Sequence, residues 1–195
     1  MYGPSPLVSA ILLTGGQSRR MGYDKSQLIV DGSTLAVRTA SLLQLVVETA
    51  LEVGPGVSGL ASRREEPSGE GPLVAVAEGW RALHELGRTG SALVVACDLP
   101  LLSERFLRFL VEWEAPGSVV PVVRGRAQPL CAKWCRDDLE HAGKLVGEGV
   151  RSLRHVTARP DVTLLDESMW RGVATEEQFS DVDSPADLHR LGLSS

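Results

Sequence analysis

The chain has 195 residues, with 20 lysines and arginines against 25 aspartates and glutamates, a formal net charge of −5. Hydrophobic residues make up 43% of the chain and charged residues 23%, ordinary globular values that exclude a disordered tail protein or a coiled coil. A mildly acidic chain lacks the basic face that binding to nucleic acid requires, so any anionic ligand must be held locally.

The cysteines and the apolar runs predict the cellular location of the protein. Cys97, Cys131 and Cys135 form an odd and sparse set that fits a reducing cytoplasm. No histidine or further cysteine adjoins Cys131 and Cys135, which favours buried free thiols over a zinc site. The apolar run at residues 10–13 is too short to span a membrane, and no basic residue precedes it as in a signal peptide. We expect a soluble cytoplasmic protein with one domain over residues 1–195.

Short apolar runs alternate with amphipathic segments along the chain. The apolar runs predict strands at residues 7–13, 28–30, 92–96, 119–123, 130–134 and 162–165. Apolar residues at helical spacing predict helices at residues 35–47, 73–86, 104–113, 137–146, 150–155 and 185–191. Pro121 indicates an edge position for its strand, because proline cannot donate to a strand pair. This alternation predicts a three-layer αβα, Rossmann-like α/β fold, with helices on both faces of a mostly parallel sheet.

A segment rich in glycine, serine, proline and glutamate occupies residues 54–71. We interpret it as an active-site loop region and not as a linker between domains. Its end, from Glu66 to Leu73, can lie across a flat ring and contact that ring through backbone groups. Without other context, an ordinary loop is the preferred interpretation of these residues.

The most informative segment, residues 14–25, directly follows the first predicted strand. Gly15 and Gly16 let backbone N–H groups converge on phosphate oxygens, and Arg19, Lys25 and a second arginine supply positive charge. The segment is neither a dinucleotide fingerprint nor a Walker loop. A surface turn with solvated basic residues is the alternative. Three cations within seven residues at the carboxyl end of a strand favour the phosphate site.

Carboxylates follow the central strand and precede the last helix. Asp98 stands just beyond residues 92–96, where open α/β sheets bind ligands, and one or two carboxylates with substrate phosphates form the usual Mg²⁺ site. Asp181 and Asp183 precede the last helix, and we expect at most one of them to be a ligand. The alternatives are a turn or helix-capping role for Asp98 and a polar turn at residues 181–183.

The segment from Leu13 to Gly22, with Asp24 and Lys25, resembles the signature loop of the molybdenum cofactor guanylyltransferases. This family lies within the larger group of sugar-phosphate-type nucleotidyltransferases. The resemblance continues in order through residues 71–73, 98–100, 128–130 and 183–188. It therefore covers nearly the whole chain.

The resemblance implies transfer of GMP from GTP to the terminal phosphate of molybdopterin, with release of pyrophosphate and with Mg²⁺ as cofactor. It implies catalytic roles for Arg19, Lys25 and Asp98, and metal binding by Asp98 and Asp183, with Asp181 as a further candidate. The nucleotide-binding residues that it implies are Leu13, Gly15, Gly16, Ser18, Arg19, Lys25, Glu66, Gly71, Pro72, Leu73 and Asp98. Transient contacts with molybdoenzymes or other cofactor-biosynthesis proteins are also expected, whereas nucleic-acid and membrane partners are not.

Four positions depart from the family pattern. Asp181 and Asp183 stand where the family commonly has asparagine, Glu66 stands where it has aspartate, and Thr14 replaces the more usual alanine.

A cytidylyltransferase or another small phosphate-acceptor nucleotidyltransferase remains an alternative function, although Gly15 and its neighbouring glycine favour the guanine branch. A glycosyltransferase with an Asp-x-Asp metal motif is disfavoured by the position of that motif near the C-terminus. A noncatalytic nucleotide-binding protein of the same fold is the remaining alternative.

Overall fold

The computed structural model describes residues 5–15, 25–65 and 69–193. The strands in these ranges are β1 (Ser5–Leu13), β2 (Ile29–Val30), β3 (Ser33–Thr34), β4 (Val47–Val53), β5 (Ala61–Arg63), β6 (Ser91–Ala96), β7 (Val119–Val123), β8 (Arg126–Ala127), β9 (Cys131–Trp134) and β10 (Thr163–Leu165). The helices are α1 (Leu35–Val46), α2 (Pro72–Glu85), α3 (Glu104–Glu112), α4 (Arg136–Gly147), α5 (Arg154–Thr157), α6 (Glu167–Trp170) and α7 (Pro185–Arg190), with 3₁₀ turns at Lys25–Gln27 and Glu176–Phe179. In the same ranges, no helix has the length and apolarity needed to cross a membrane.

The main sheet has the strand order β10-β7-β9-β6-β1-β4-β5, and β8 pairs with β7. Strand β1 runs parallel to β4 and β6, and only β8 and β9 run antiparallel to their neighbours in this sheet. Successive side chains of β1 enter opposite apolar clusters, with Leu12 packing beside α1 and α3 and Ile11 beside α2 and α4. The predicted mostly parallel sheet with helices on both faces is therefore confirmed.

Four local predictions were wrong, and one of them is the loop predicted at residues 54–71, since β5 lies within it and pairs with β4. Strand β4 was not predicted, because α1 runs into it with no loop and Val47 is both the C-cap of the helix and the first strand residue. Strand β7 is not an edge strand, since it lies between β10 and β9. Its Pro121 falls between Val119, which pairs with β9, and Val122, which pairs with β8. The short helix α5 begins at Arg154 and not at residue 150.

An aromatic cluster fastens the C-terminal part of the chain to α3. The ring of Phe106 lies 5.1 Å from that of Phe179 and 6.4 Å from that of Trp170, measured between centroids. Phe106 and Trp170 are fully buried. Because Phe179 precedes Asp181 by two residues, this packing places the acidic segment, residues 181–183, beside the sheet.

A small third core joins two distant parts of the chain. Leu28, Val30 and Leu35 pack against Val182 and Leu188 of the C-terminal segment. The residues from the first part surround the β2-β3 hairpin, whose turn has positive φ angles at residues 31 and 32. The third core therefore holds the Lys25 and Asp183 segments side by side.

Candidate active site

The carboxyl ends of β1, β4 and β6 meet at one edge of the sheet. The N–H of Thr14 donates to the carbonyl of Val53 at 3.1 Å, and the N–H of Cys97 donates to the carbonyl of Leu13 at 3.1 Å. Gly15 and Asp98 thus follow neighbouring strands at the same edge. This edge, which we call the rim, is where open α/β sheets bind ligands.

Asp98 is partly buried at the rim, beside two other charged residues. Burial raises the pKa of its carboxyl above the ordinary value, while the positive charge of Lys25 lowers it and the negative charge of Asp181 raises it. The carbonyl of Asp98 accepts a hydrogen bond from the N–H of Val182 at 3.0 Å. The backbone therefore fastens the 181–183 segment to Asp98, more than 80 residues earlier in the chain.

Lys25 forms an ion pair with Asp183. The side chain of Lys25 is 28% exposed and that of Asp183 is 51% exposed, so the pair faces solvent at the rim. A solvent-exposed ion pair contributes little stability, and an incoming anion can compete for the ammonium group. The structure thus brings together three predicted site residues, Lys25, Asp98 and Asp183.

The donor set at the rim suits Mg²⁺. Mg²⁺ takes oxygen ligands and is usually held by one or two carboxylates together with substrate phosphates and water. Asp98 and the acids of the 181–183 segment supply such carboxylates. Within residues 5–15, 25–65 and 69–193, no group of three or more His, Cys, Asp or Glu residues could hold a metal ion alone. Two carboxylates would therefore need further oxygen ligands, such as the phosphate oxygens of a bound ligand, to hold Mg²⁺.

Asp183 is positioned by the first turn of α7. A capping box is present: Oδ2 of Asp187 accepts hydrogen bonds from the N–H groups of Asp183 at 3.1 Å and Ser184 at 3.0 Å. Asp187 also pairs with Arg190 at 3.1 Å. The cap therefore orients the backbone at Asp183.

We expect Asp187→Ala to lower the free energy of unfolding by about 1 kcal/mol, because two backbone donors lose their acceptor. Urea denaturation measures this loss. Arg190→Ala is the matched control, since it removes the exposed ion pair but leaves the cap, and its expected change is below about 0.5 kcal/mol. Equal losses in the two variants would show that the cap contributes nothing of its own.

The predicted base-binding residues stand at the start of α2. Gly71 has a φ of 106°, Pro72 is the first residue of the helix, and Leu73 is fully buried. Because the whole residue is buried, no atom of Leu73 is open to a ligand in this structure, whereas Gly71 is partly exposed and Pro72 is exposed. The preceding Glu70 is held by Arg151, with Nε 2.7 Å from Oε2.

Some predicted residues lie outside the described ranges. They are Gly16, Ser18, Arg19 and Glu66. Their roles stay predictions, as does the part of the glycine-rich segment between Gly15 and Lys25.

Glu65 was missed by the sequence analysis. A Cβ atom placed on Gly15 would lie only 3.3 Å from Oε1 of Glu65, so this carboxylate packs directly against the glycine. The other oxygen accepts the N–H of Gly69 at 3.2 Å. Burial raises the pKa of Glu65, and the Gly69 hydrogen bond lowers it. No spacing in the sequence indicates a contact between residues 50 positions apart.

The chain shares its fold with proteins of solved structure. The chain is similar to the molybdopterin-guanine dinucleotide biosynthesis protein A from Archaeoglobus fulgidus, with a TM-score of 0.76, 20% identity and coverage of 93% of this chain and 95% of that chain. It is also similar to the 2-C-methyl-D-erythritol 4-phosphate cytidylyltransferase from Thermus thermophilus, with a TM-score of 0.60, 18% identity and coverage of 93% and 95%. These likenesses show the fold, which is that of the nucleotide-diphospho-sugar transferases.

Sequence comparison shows the family. Residues 10–163 match the model of the MobA-like NTP transferase domain, and the chain belongs to that family. It is 34% identical to a probable molybdenum cofactor guanylyltransferase from Mycolicibacterium paratuberculosis, over 94% of each chain. A relative of the same name from Chloroflexus aggregans is 31% identical over 93% of this chain and 92% of its own length. The predicted family is confirmed.

Proposed function

We propose that this enzyme transfers GMP from GTP to the terminal phosphate of molybdopterin, releasing pyrophosphate and forming a guanine dinucleotide cofactor. The observation that carries the proposal is the convergence of Lys25, Asp98 and Asp183 at one rim, from three distant parts of the chain. The names of the relatives supply the nucleotide and the acceptor. A cytoplasmic location suits the three cysteines, none of which forms a disulfide among the described residues, and transient contacts with molybdoenzymes would pass on the product.

The chemistry requires no general base. A phosphate monoester has a second pKa of about 6, so the acceptor oxygen is already largely ionised at neutral pH. The four histidines stand in α2, α4, α5 and α7, and none is assigned to the reaction. The obstacle is the repulsion between two polyanions, which the protein must reduce while it aligns them.

The rim residues reduce this repulsion. Asp98 would hold Mg²⁺ with help from Asp183, and the bound ion would supply positive charge to the phosphate oxygens. The ammonium group of Lys25 would leave Asp183 and bind the phosphates on which negative charge builds as pyrophosphate departs. Asp183 would in turn be free to face the metal.

The carboxylate of Glu65 suits guanine. Guanine presents two adjacent donors, N1–H and the 2-amino group, which one carboxylate can accept together, whereas cytosine presents only one donor beside two acceptors. Glu65 is partly buried and forms no ion pair among the described residues. Its carboxylate adjoins Gly15 at the rim, so it can select the base while Lys25 binds the phosphates. Glu66 stays a second predicted contact.

We expect Glu65→Gln to reduce the preference for GTP over CTP by about tenfold in kcat/KM, because a hydrogen bond to a charged acceptor is replaced by a weaker and mismatched one. Glu70→Gln is the matched control, since Glu70 is held by Arg151. Steady-state kinetics with both nucleotides measures the ratio. An unchanged ratio in Glu65→Gln would remove this residue from base selection.

Pyrophosphate release tests the proposed function directly. The purified protein is incubated with GTP or CTP, with and without molybdopterin, in Mg²⁺ or in EDTA. We expect release only from GTP with molybdopterin and Mg²⁺. Preference for CTP would indicate a cytidylyltransferase, and absence of release under every condition would indicate a noncatalytic nucleotide-binding protein.

A further inference from the structure

Glu52 is a fully buried carboxylate near the end of β4, at 0% exposure. Its oxygens accept hydrogen bonds from the hydroxyls of Thr14 at 2.5 Å and Ser58 at 2.6 Å. They also accept three backbone N–H groups, from Gly56 at 2.7 Å, Val57 at 3.1 Å and Ser58 at 2.8 Å. These contacts compensate for burial that would otherwise be costly.

The donors of Glu52 come from two segments of the rim. Thr14 is the residue between β1 and Gly15, whereas residues 56–58 belong to the loop that follows β4. A Cβ atom on Gly54 would overlap Oγ1 of Thr14, so only glycine leaves room for this hydroxyl. The N–H of Gly54 donates to the carbonyl of Arg63 at 2.9 Å, two residues before Glu65. Glu52 therefore lies beneath the place where Gly15 and the Glu65 segment meet.

Burial raises the pKa of Glu52, but the hydrogen bonds from Ser58, Thr14 and the loop backbone outweigh this effect and leave the pKa below its ordinary value. The group is thus an anion at neutral pH, and anionic oxygens bind N–H and O–H donors most strongly. The loop 56–58 contributes most of these donors and holds the carboxylate in place. Thr14 is the one donor that precedes the glycine-rich segment.

We propose that Glu52 is a positioning residue for nucleotide binding, which acts through the hydroxyl of Thr14 to fix Gly15 at the rim. The proposal rests on the proposed function, because it treats the rim as the nucleotide site. Glu52 touches neither substrate nor metal in this scheme, and it sets the geometry in which GTP is bound.

The test uses Thr14→Val, which keeps the shape of the side chain but removes its donor. We expect KM for GTP to rise about tenfold and kcat to change less than twofold, because the loss affects binding geometry and not the reacting groups. Thr14→Ser retains a hydroxyl and should restore KM. Urea denaturation and pyrophosphate release are measured on the same preparations.

Ser58→Ala is the matched control on the other side of the carboxylate. It removes one hydroxyl donor, but the Ser58 N–H still binds Glu52, so we expect KM within twofold of the unsubstituted chain. If Thr14→Val and Ser58→Ala lose similar amounts of stability and KM for GTP is unchanged in Thr14→Val, the contact has a purely structural role. This result would overturn the proposal. Failure of the unsubstituted chain to release pyrophosphate would instead contradict the proposed function. In that case, equilibrium binding of GTP to the same variants still tests the positioning role.

Glu52→Gln gives a second, independent measurement. The amide cannot accept all the donors that the carboxylate accepts, so we expect the largest rise in KM for GTP, together with a lowered midpoint of unfolding. In the double variant with Thr14→Val, KM for GTP should rise by less than the product of the two single-variant factors, because both substitutions remove the same contact. Multiplicative effects would show that the two residues act separately and would contradict the proposal.

Discussion

Asp98→Ala is expected to lower kcat for pyrophosphate release by roughly 100- to 1,000-fold, the scale of losing one electrostatic contact made in the transition state. Asp98 is the carboxylate at the rim that would hold Mg²⁺ beside the nucleotide phosphates. Its loss leaves the charge on those phosphates without a fixed counter-charge. The measurement is initial-rate kinetics at saturating GTP over a series of Mg²⁺ concentrations.

Stability measurements separate this effect from misfolding. Burial raises the pKa of Asp98, so keeping this carboxyl ionised costs the folded state stability relative to the unfolded chain. Asp98→Ala should therefore leave the free energy of unfolding unchanged or raise it while activity falls. Asp137→Ala, at an exposed residue in the first turn of α4, is the control and should retain full activity. Near-normal turnover in Asp98→Ala would remove Asp98 from the proposed mechanism.

Lys25→Ala is expected to lower kcat by a similar factor, roughly 100- to 1,000-fold, because the charge that offsets the departing pyrophosphate is lost. Lys25→Arg keeps the charge but presents it as a planar fork, so it should recover only part of the activity. Single-turnover release of pyrophosphate isolates this step from product dissociation.

The ion pair with Asp183 gives this prediction a structural control. Lys25 and Asp183 are both partly exposed, so loss of their pair should change stability little. Lys144→Ala removes a cation from the last turn of α4 and should leave turnover unchanged. If Lys25→Ala keeps near-normal turnover while Asp98→Ala is inactive, the phosphates are held by other cations.

The layered fold could be predicted because its signals are local. The run at residues 92–96 is apolar at every position, and the helix predicted at residues 185–191 is observed at Pro185–Arg190. Strand β4 was missed for the opposite reason, since the apolar stripe of α1 continues into Val47 and no turn residue marks the change. The edge position predicted from Pro121 was wrong because β7 changes its partner strand from β9 to β8 near this residue. The missing N–H of the proline therefore costs no hydrogen bond there.

The sequence by itself determined the class of fold and the family and predicted the rim as the ligand site, because backbone periodicity and a contiguous glycine-rich segment are properties of neighbouring residues. Only the tertiary structure decided which acids meet there. Lys25 reaches Asp183 across 158 positions, Glu65 lies against Gly15, and Glu52 binds Thr14. Contacts of this kind depend on strand order and on the packing of the third core, and neither leaves a periodic trace in the chain.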